Sequence, residues 1–180
     1  MPTARKQVHR DIHPDDGQHR RDLQAALVRL RKATGMNGRA MNEKYGMAVF
    51  VNEKKSQWHV GTVQRWAHAL GRQLTWRIEG FSLPDEMVNT FDWSASHEDQ
   101  RAELKARIKE VRRALKIPTT RVDKVCQQRA CTYWAWEKKG PGDLVMPAVQ
   151  RHIRAMGGRI EFQLRPIHNE FLGGGKLDKV

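Results

Sequence analysis

The chain writes nearly the same phrase twice. Thr62 to Glu79 reads TVQRWAHALGRQLTWRIE, and Ala148 to Arg165 reads AVQRHIRAMGGRIEFQLR. Each phrase opens as a helix and stops at a glycine, Gly71 or Gly157, the residue that best tolerates the left-handed conformation ending a helix. Each then alternates: Leu74, Trp76 and Ile78 in the first, Ile160, Phe162 and Leu164 in the second. Period two with aromatic and β-branched residues reads as a short strand. A lone strand leaves its backbone N–H and C=O groups unpaired, so it needs a partner. The simplest partner is its twin, which would pair the two strands antiparallel within one chain as a pseudo-dimer. The alternative pairs each strand with that of another molecule, as a homodimer.

The duplication extends upstream. LQAALVRLRKATGM (from Leu23) lies without a gap against LKARIKEVRRALKI (from Leu104), 81 residues later (104 minus 23). Leu23, Leu27 and Leu30 correspond to Leu104, Ile108 and Val111, the i, i+4, i+7 stripe of a helix with one buried face. The late phrases align at 86 residues (149 minus 63), so the second copy carries about five extra residues between its early and late helices. Phe81 to Gln100 lies between the copies, with Pro84, acidic residues and small polar residues. Phe81, Phe91 and Trp93 suggest that this linker packs, and Ser96 is placed to cap the helix that follows. The organisation expected is a basic flexible arm (1–19), a first unit (20–80), a linker (81–99), a second unit (100–167) and a flexible tail (168–180).

Charge bounds the partners. Of 180 residues, 33 are Lys or Arg and 20 are Asp or Glu, a net charge of +13. That excess attracts polyanions, and nucleic acid is the commonest, because neutralising its phosphates releases condensed counterions. No apolar run is long enough to span a membrane, and the N-terminus lacks the apolar core of a signal peptide. Cys126 and Cys131 are not spaced as a zinc pair, so a reducing cytoplasm is expected. GGGK near the C-terminus lacks the strand–loop–helix frame of a phosphate loop. No Ser/His/Asp set, paired carboxylates or metal cluster stands out, and His59, His68, His97 and His152 are scattered. The expectation is a non-enzyme without a cofactor or metal.

Within the second copy, IPTTRVDKVCQQRACTYWAWEKKG resembles the lambda-repressor-like (Cro/repressor, xenobiotic-response-element) helix-turn-helix family. Pro118 and Thr119 begin the first helix of that phrase, and Val122 takes its leucine position. Gln127 and Gln128 make the turn, Tyr133 is the buried residue of the recognition helix, and Trp136-Glu137-Lys138-Lys139-Gly140 closes it. In the first copy MNGRAMNEKYGM is similar, with Asn37 as cap, Met41 at the leucine position and Gly46 at the turn. The resemblance implies a mainly α fold: two tandem five-helix helix-turn-helix domains, each ending in a short strand. The first copy departs from the pattern after Gly46. AVFVNEKKSQWHV lacks the Trp-Glu-x-x-Gly close, and residues 48–60 read as a short helix or as a hairpin.

The resemblance also implies a site. In such proteins the first helix crosses the phosphate backbone and the second enters the major groove of duplex DNA. In the second unit Thr119, Thr120 and Arg121 would meet phosphate. Gln128, Arg129, Ala130, Thr132 and Trp134 would meet base edges, with Arg129 on guanine and Gln128 on adenine. Lys138 and Lys139 would meet phosphate. In the first unit the candidates are Asn37, Gly38, Arg39, Ala48, Val49, Asn52, Lys54 and Lys55. The basic arm ARKQVHR suits a minor groove or no groove at all. Two unlike halves in one chain would read an asymmetric site, their reading elements roughly 34 Å apart. The function implied is that of a repressor-like transcriptional regulator on DNA in a bacterial cytoplasm, of phage or prophage type. Rival readings are an antitoxin-type protein that also holds a toxin-like partner through Phe81, Phe91 and Trp93, and an architectural or single-strand-binding protein whose six tryptophans stack on bases.

Overall fold

The computed structural model describes residues 12–45, 58–140 and 144–167. It is mainly helical, with one two-stranded antiparallel sheet. In chain order the elements are α1 (Pro14–Ala33), α2 (Gly38–Tyr45), α3 (Val60–Ala69), β1 (Arg72–Glu79), α4 (Asp85–Asn89), α5 (His97–Ala114), α6 (Thr119–Val125), α7 (Thr132–Lys138), α8 (Met146–Ala155) and β2 (Arg159–Pro166). Among the described residues the second repeat holds four helices before its strand, α5 to α8, where five were expected. Residues 46–57, which contain most of the helix-or-hairpin segment, lie outside the described residues, as do the N-terminal arm and the C-terminal tail.

The twin strands pair as their pattern requires. Leu74 lies opposite Leu164, Trp76 opposite Phe162 and Ile78 opposite Ile160. Apolar side chains therefore face one another on one side of the sheet, and all but Leu164 are buried. Trp76 and Phe162 are also repeat equivalents, 86 residues apart. A second antiparallel contact joins His59 to Val145, again 86 apart. There Val60 N–H donates to the Leu144 carbonyl and Met146 N–H to that of Trp58, each at 2.8 Å. Two separate pairings with one residue offset place a single pseudo-twofold axis between the late halves of the two repeats.

Around that axis the early helices cross over. Arg20 on α1 donates to Gln150 Oε1 on α8. Its equivalent, Arg101 on α5, donates from Nη1 to Gln64 Oε1 on α3 at 2.9 Å. Each early helix thus lies against the late helix of the other repeat, and both glutamines are buried. At the start of α1, buried Asp16 accepts from Arg154 Nη2 at 3.0 Å. These polar bonds tie the halves together in addition to the sheet.

On each outer edge of the sheet one residue is bonded by a side chain. On β1, Asn89 at the end of α4 accepts from Ile78 N–H at 2.6 Å and donates to the Ile78 carbonyl at 2.9 Å. On β2, His19 Nε2 accepts from Phe162 N–H at 2.8 Å. Edge groups satisfied this way are poor templates for a further strand. The linker packs, as its aromatics suggest: Trp76, Phe91 and Trp93 form an edge-to-face ladder with centroids 4.8 and 5.1 Å apart. Phe81 lies so close to Gly158 that a Cβ there would sit 2.4 Å from its ring, so glycine is required. Ser96 caps α5, accepting from Asp99 N–H at 3.1 Å.

Burial holds the His19 imidazole below its ordinary value of 6.5, against the pull of the Glu161, Asp22 and Asp16 carboxylates. Protonating Nε2 would also destroy the bond from Phe162. Above 6.5 neither folded nor unfolded chain carries this proton, and as pH falls the unfolded chain takes it first. We predict that stability falls as pH is lowered from about 7.5 to 5.5, and that His19→Gln makes the fall shallower. Urea denaturation across that range checks it; an unchanged slope in the variant would count against the role given to His19.

Candidate nucleic-acid interface

α6 and α7 form a compact pair whose connection is built by one buried carboxylate. α6 ends in a Schellman turn in which Gln127 takes the left-handed conformation at φ 51°. Gln127 N–H donates to the Lys124 carbonyl at 3.1 Å, and Gln128 N–H to that of Asp123 at 3.0 Å. Asp123, 3% exposed, then reaches forward. Its Oδ1 accepts from Gln128 Nε2 at 2.9 Å and from Tyr133 N–H at 2.8 Å, in the first turn of α7. One side chain thereby sets the angle between the helices and occupies a donor at the start of α7.

The pair is anchored from behind. Tyr133 and Val122 are fully buried, as the resemblance implies, and burial raises the Tyr133 hydroxyl well above the usual tyrosine range. His152 on α8 meets the Tyr133 and Trp136 rings edge-on at 4.7 and 4.6 Å. Arg112 on α5 forms a partly buried two-bond pair with Glu137 at 2.7 and 3.2 Å and donates to the Ile117 carbonyl at 2.8 Å. The bond to Glu137 raises the Arg112 guanidinium further above its ordinary value. Lys105 Nζ, largely buried, donates to the Lys139 carbonyl at the C-terminal end of α7. Cys126 behaves as a buried apolar side chain: burial pushes its thiol up to about 11.

The outer surface is basic and carries one large aromatic. Arg121, Lys124, Arg129, Lys138 and Lys139 are exposed, and none of them lies within 4.0 Å of a carboxylate among the described residues. Trp134 is 53% exposed, with Lys138 Nζ 5.7 Å from its ring centroid. The other described tryptophans are more enclosed; Trp58, Trp66 and Trp76 belong to the core.

Of the residues expected at this surface, Thr120, Arg121, Arg129, Ala130, Trp134, Lys138 and Lys139 are exposed and Thr119 is half-buried. Four differ from the expected roles in detail. α7 begins only at Thr132, so Arg129 and Ala130 lie in the turn before it. The Gln128 amide is engaged by Asp123. The Thr132 hydroxyl donates to the Arg129 carbonyl at 2.6 Å. Lys124 was missed by pattern reading, although its spacing three residues beyond Arg121 puts both on one helix face.

In the first unit Asn37 caps α2, accepting from Ala40 N–H at 2.8 Å, and Met41 is fully buried. Gly38 opens α2. Arg39 is exposed and pairs with Glu43 at 2.9 Å. Ala48, Val49, Asn52, Lys54 and Lys55 lie outside the described residues.

No protein-family model, curated protein or solved structure matches this chain. Among the described residues no helix is long and apolar enough to cross a membrane, and no cluster of His, Cys, Asp or Glu could hold a metal ion.

The partly buried Arg112–Glu137 pair yields a direct prediction. Glu137→Ala leaves the partly buried guanidinium without its carboxylate, and should cost about 1–3 kcal/mol. Equilibrium unfolding in urea measures this; a loss no larger than that of an exposed pair would show that the bond contributes little to holding α7.

Proposed function

We propose that this protein is a sequence-specific double-stranded-DNA-binding regulator, repressor-like in its action, which uses α6 and α7 as a helix-turn-helix. The observation that carries the reading is the α6–α7 surface. It is held rigidly from behind by Asp123, Tyr133 and the Arg112–Glu137 pair, and it presents five exposed cations with no acidic partner among the described residues. In this reading Arg129 and Trp134 approach base edges, while Arg121, Lys124, Lys138 and Lys139 meet phosphates. The pseudo-twofold arrangement supports two reading heads on one chain, the first built around α2. Because the repeats differ in sequence, the site read is asymmetric. With the two strands paired to each other, and Ile78 and Phe162 on their outer edges bonded by Asn89 and His19, the chain acts as a monomeric pseudo-dimer. No catalytic step forms part of this function.

The antitoxin reading is weaker. Its docking aromatics, Phe91 and Trp93, are spent on one another and on Trp76. Stacking of single strands on tryptophans is weaker too, because Trp134 is the one described tryptophan with half its surface open.

Selection of bound sequences from random duplex DNA tests the proposal. We expect an asymmetric motif longer than one helical turn, and a footprint of matching length. Arg129→Ala should weaken the selected site by about 10- to 100-fold and relax preference at one position. Lys138→Ala should instead weaken all sequences alike and reduce the salt slope by about one. Salt-dependent binding with no enriched motif would replace this reading with an architectural role.

A further inference from the structure

The pseudo-twofold axis makes the two early-to-late helix junctions comparable residue by residue, and they differ in charge. At the α1–α8 junction, Asp16 supplies a buried carboxylate that binds Arg154. At the α3–α5 junction the equivalent of Asp16 is His97 and the equivalent of Arg154 is His68. Their rings meet edge-on at 5.4 Å. The carboxylate present on one side is missing on the other.

An open cleft of about 550 Å³ lies at this second junction, lined by His59, Gly61, Arg65, His97, Glu98 and Arg101 among others. That volume falls in the range of about 300–1,000 Å³ typical of small-ligand sites. Arg101 is fixed in place. Its Nη1 donates to Gln64, and a Cβ on Gly61 would sit 3.0 Å from the same nitrogen, so the guanidinium lies flat against the α3 backbone. Its Nε is buried with no hydrogen-bond partner. Arg65 is exposed and has no ion pair among the described residues, and His59 makes no side-chain cap to α3. The one lining carboxylate, Glu98, is exposed and forms no ion pair among the described residues. The Ser96 hydroxyl is already committed to Asp99. Burial first, then the neighbouring His68, Arg101 and Arg65, hold the His97 imidazole below its ordinary value, which marks a local excess of positive charge.

We propose that this cleft binds a small free oxyanion, a phosphate- or carboxylate-bearing metabolite, which supplies from solution the counter-charge that Asp16 supplies at the related junction. Arg65 and Arg101, both in the cleft lining, hold the anion, and His59 and His97 complete its shell. The site draws on α3 from one repeat and α5 from the other, so its occupant clamps the two halves together. α6 departs from the far end of α5, an 18-residue helix about 27 Å long, but the C-terminal end of α7 returns to Lys105, about 12 Å from the start of α5 where the cleft lies; the experiment therefore separates a free anion from a DNA phosphate. The inference does not depend on the DNA-binding reading.

Inorganic phosphate is the first probe, and citrate the second. The full chain is followed by thermal unfolding and by histidine NMR signals, with chloride at matched ionic strength as reference. Phosphate should raise the wild-type Tm saturably and shift the His97 signals. Arg65→Ala, at an exposed position, should raise the half-saturating concentration about tenfold or more, as loss of one charge-assisted bond implies. Glu98→Gln should tighten binding. His97→Asp installs the carboxylate of the related junction; it should raise the Tm without phosphate and abolish the response to it. The proposal is overturned by the absence of any response beyond chloride. Equal responses in wild type, Arg65→Ala and His97→Asp would overturn it too, since they mark a general salt effect. It is also overturned if Arg65→Ala weakens duplex binding while free phosphate and citrate have no effect, because the occupant is then the DNA backbone.

Discussion

The pairing of Trp76 with Phe162 at the centre of a two-stranded sheet is the contact on which the arrangement of this protein rests. A single strand cannot satisfy its backbone in isolation, and two isolated strands are marginal at best. Here each strand is fused to a helix of its own repeat and covered by an element from elsewhere in the chain. The sheet therefore serves as the axis about which two similar halves are placed, and the His59–Val145 bridge repeats the same relation.

The crossing of α1 and α5 turns that axis into a rigid joint. Gln64 and Gln150 are each about 1% exposed and each accepts from an arginine of the other repeat. Burying an amide is unfavourable unless its partners are in place. Such bonds favour this one arrangement of the halves over sliding or rotated alternatives. Apolar contacts alone, being non-directional, would discriminate less.

Symmetry sets the frame, and departures from it locate the chemistry. Lys116 and Gln127 stand in left-handed positions where glycine is usual, at the ends of α5 and α6. With Cys131, they place the left-handed non-glycine residues of the described chain in the segment that carries the basic surface. Asp16 and Arg154 make one junction an ion pair, whereas His97 and His68 meet ring to ring at the other, beside Arg65 and Arg101. A protein built from two identical chains could not differ in this way between its halves.

The duplication, the stripe of Leu23, Leu27, Leu104 and Ile108, the alternation of the twin strands and the Ser96 cap were all legible in the linear sequence. Each depends on neighbours a few residues away or on the comparison of one repeat with the other. Antiparallel pairing followed as the simplest way to satisfy two lone strands, although nothing local excluded a partner from another molecule. The buried places of Val122, Tyr133 and Met41 were likewise readable from pattern. Other features were decided only in three dimensions: the crossing of α1 and α5, the capture of Gln128 by Asp123, the late start of α7, and the bonds of His19 and Asn89 to Phe162 and Ile78 on the strand edges. Each of these joins polar groups far apart in sequence or competing for one acceptor, and their bonding depends on which partners burial brings within about 3 Å. Local periodicity carries the information for helix and strand, whereas the fate of a buried hydrogen-bonding group is settled by the whole fold around it.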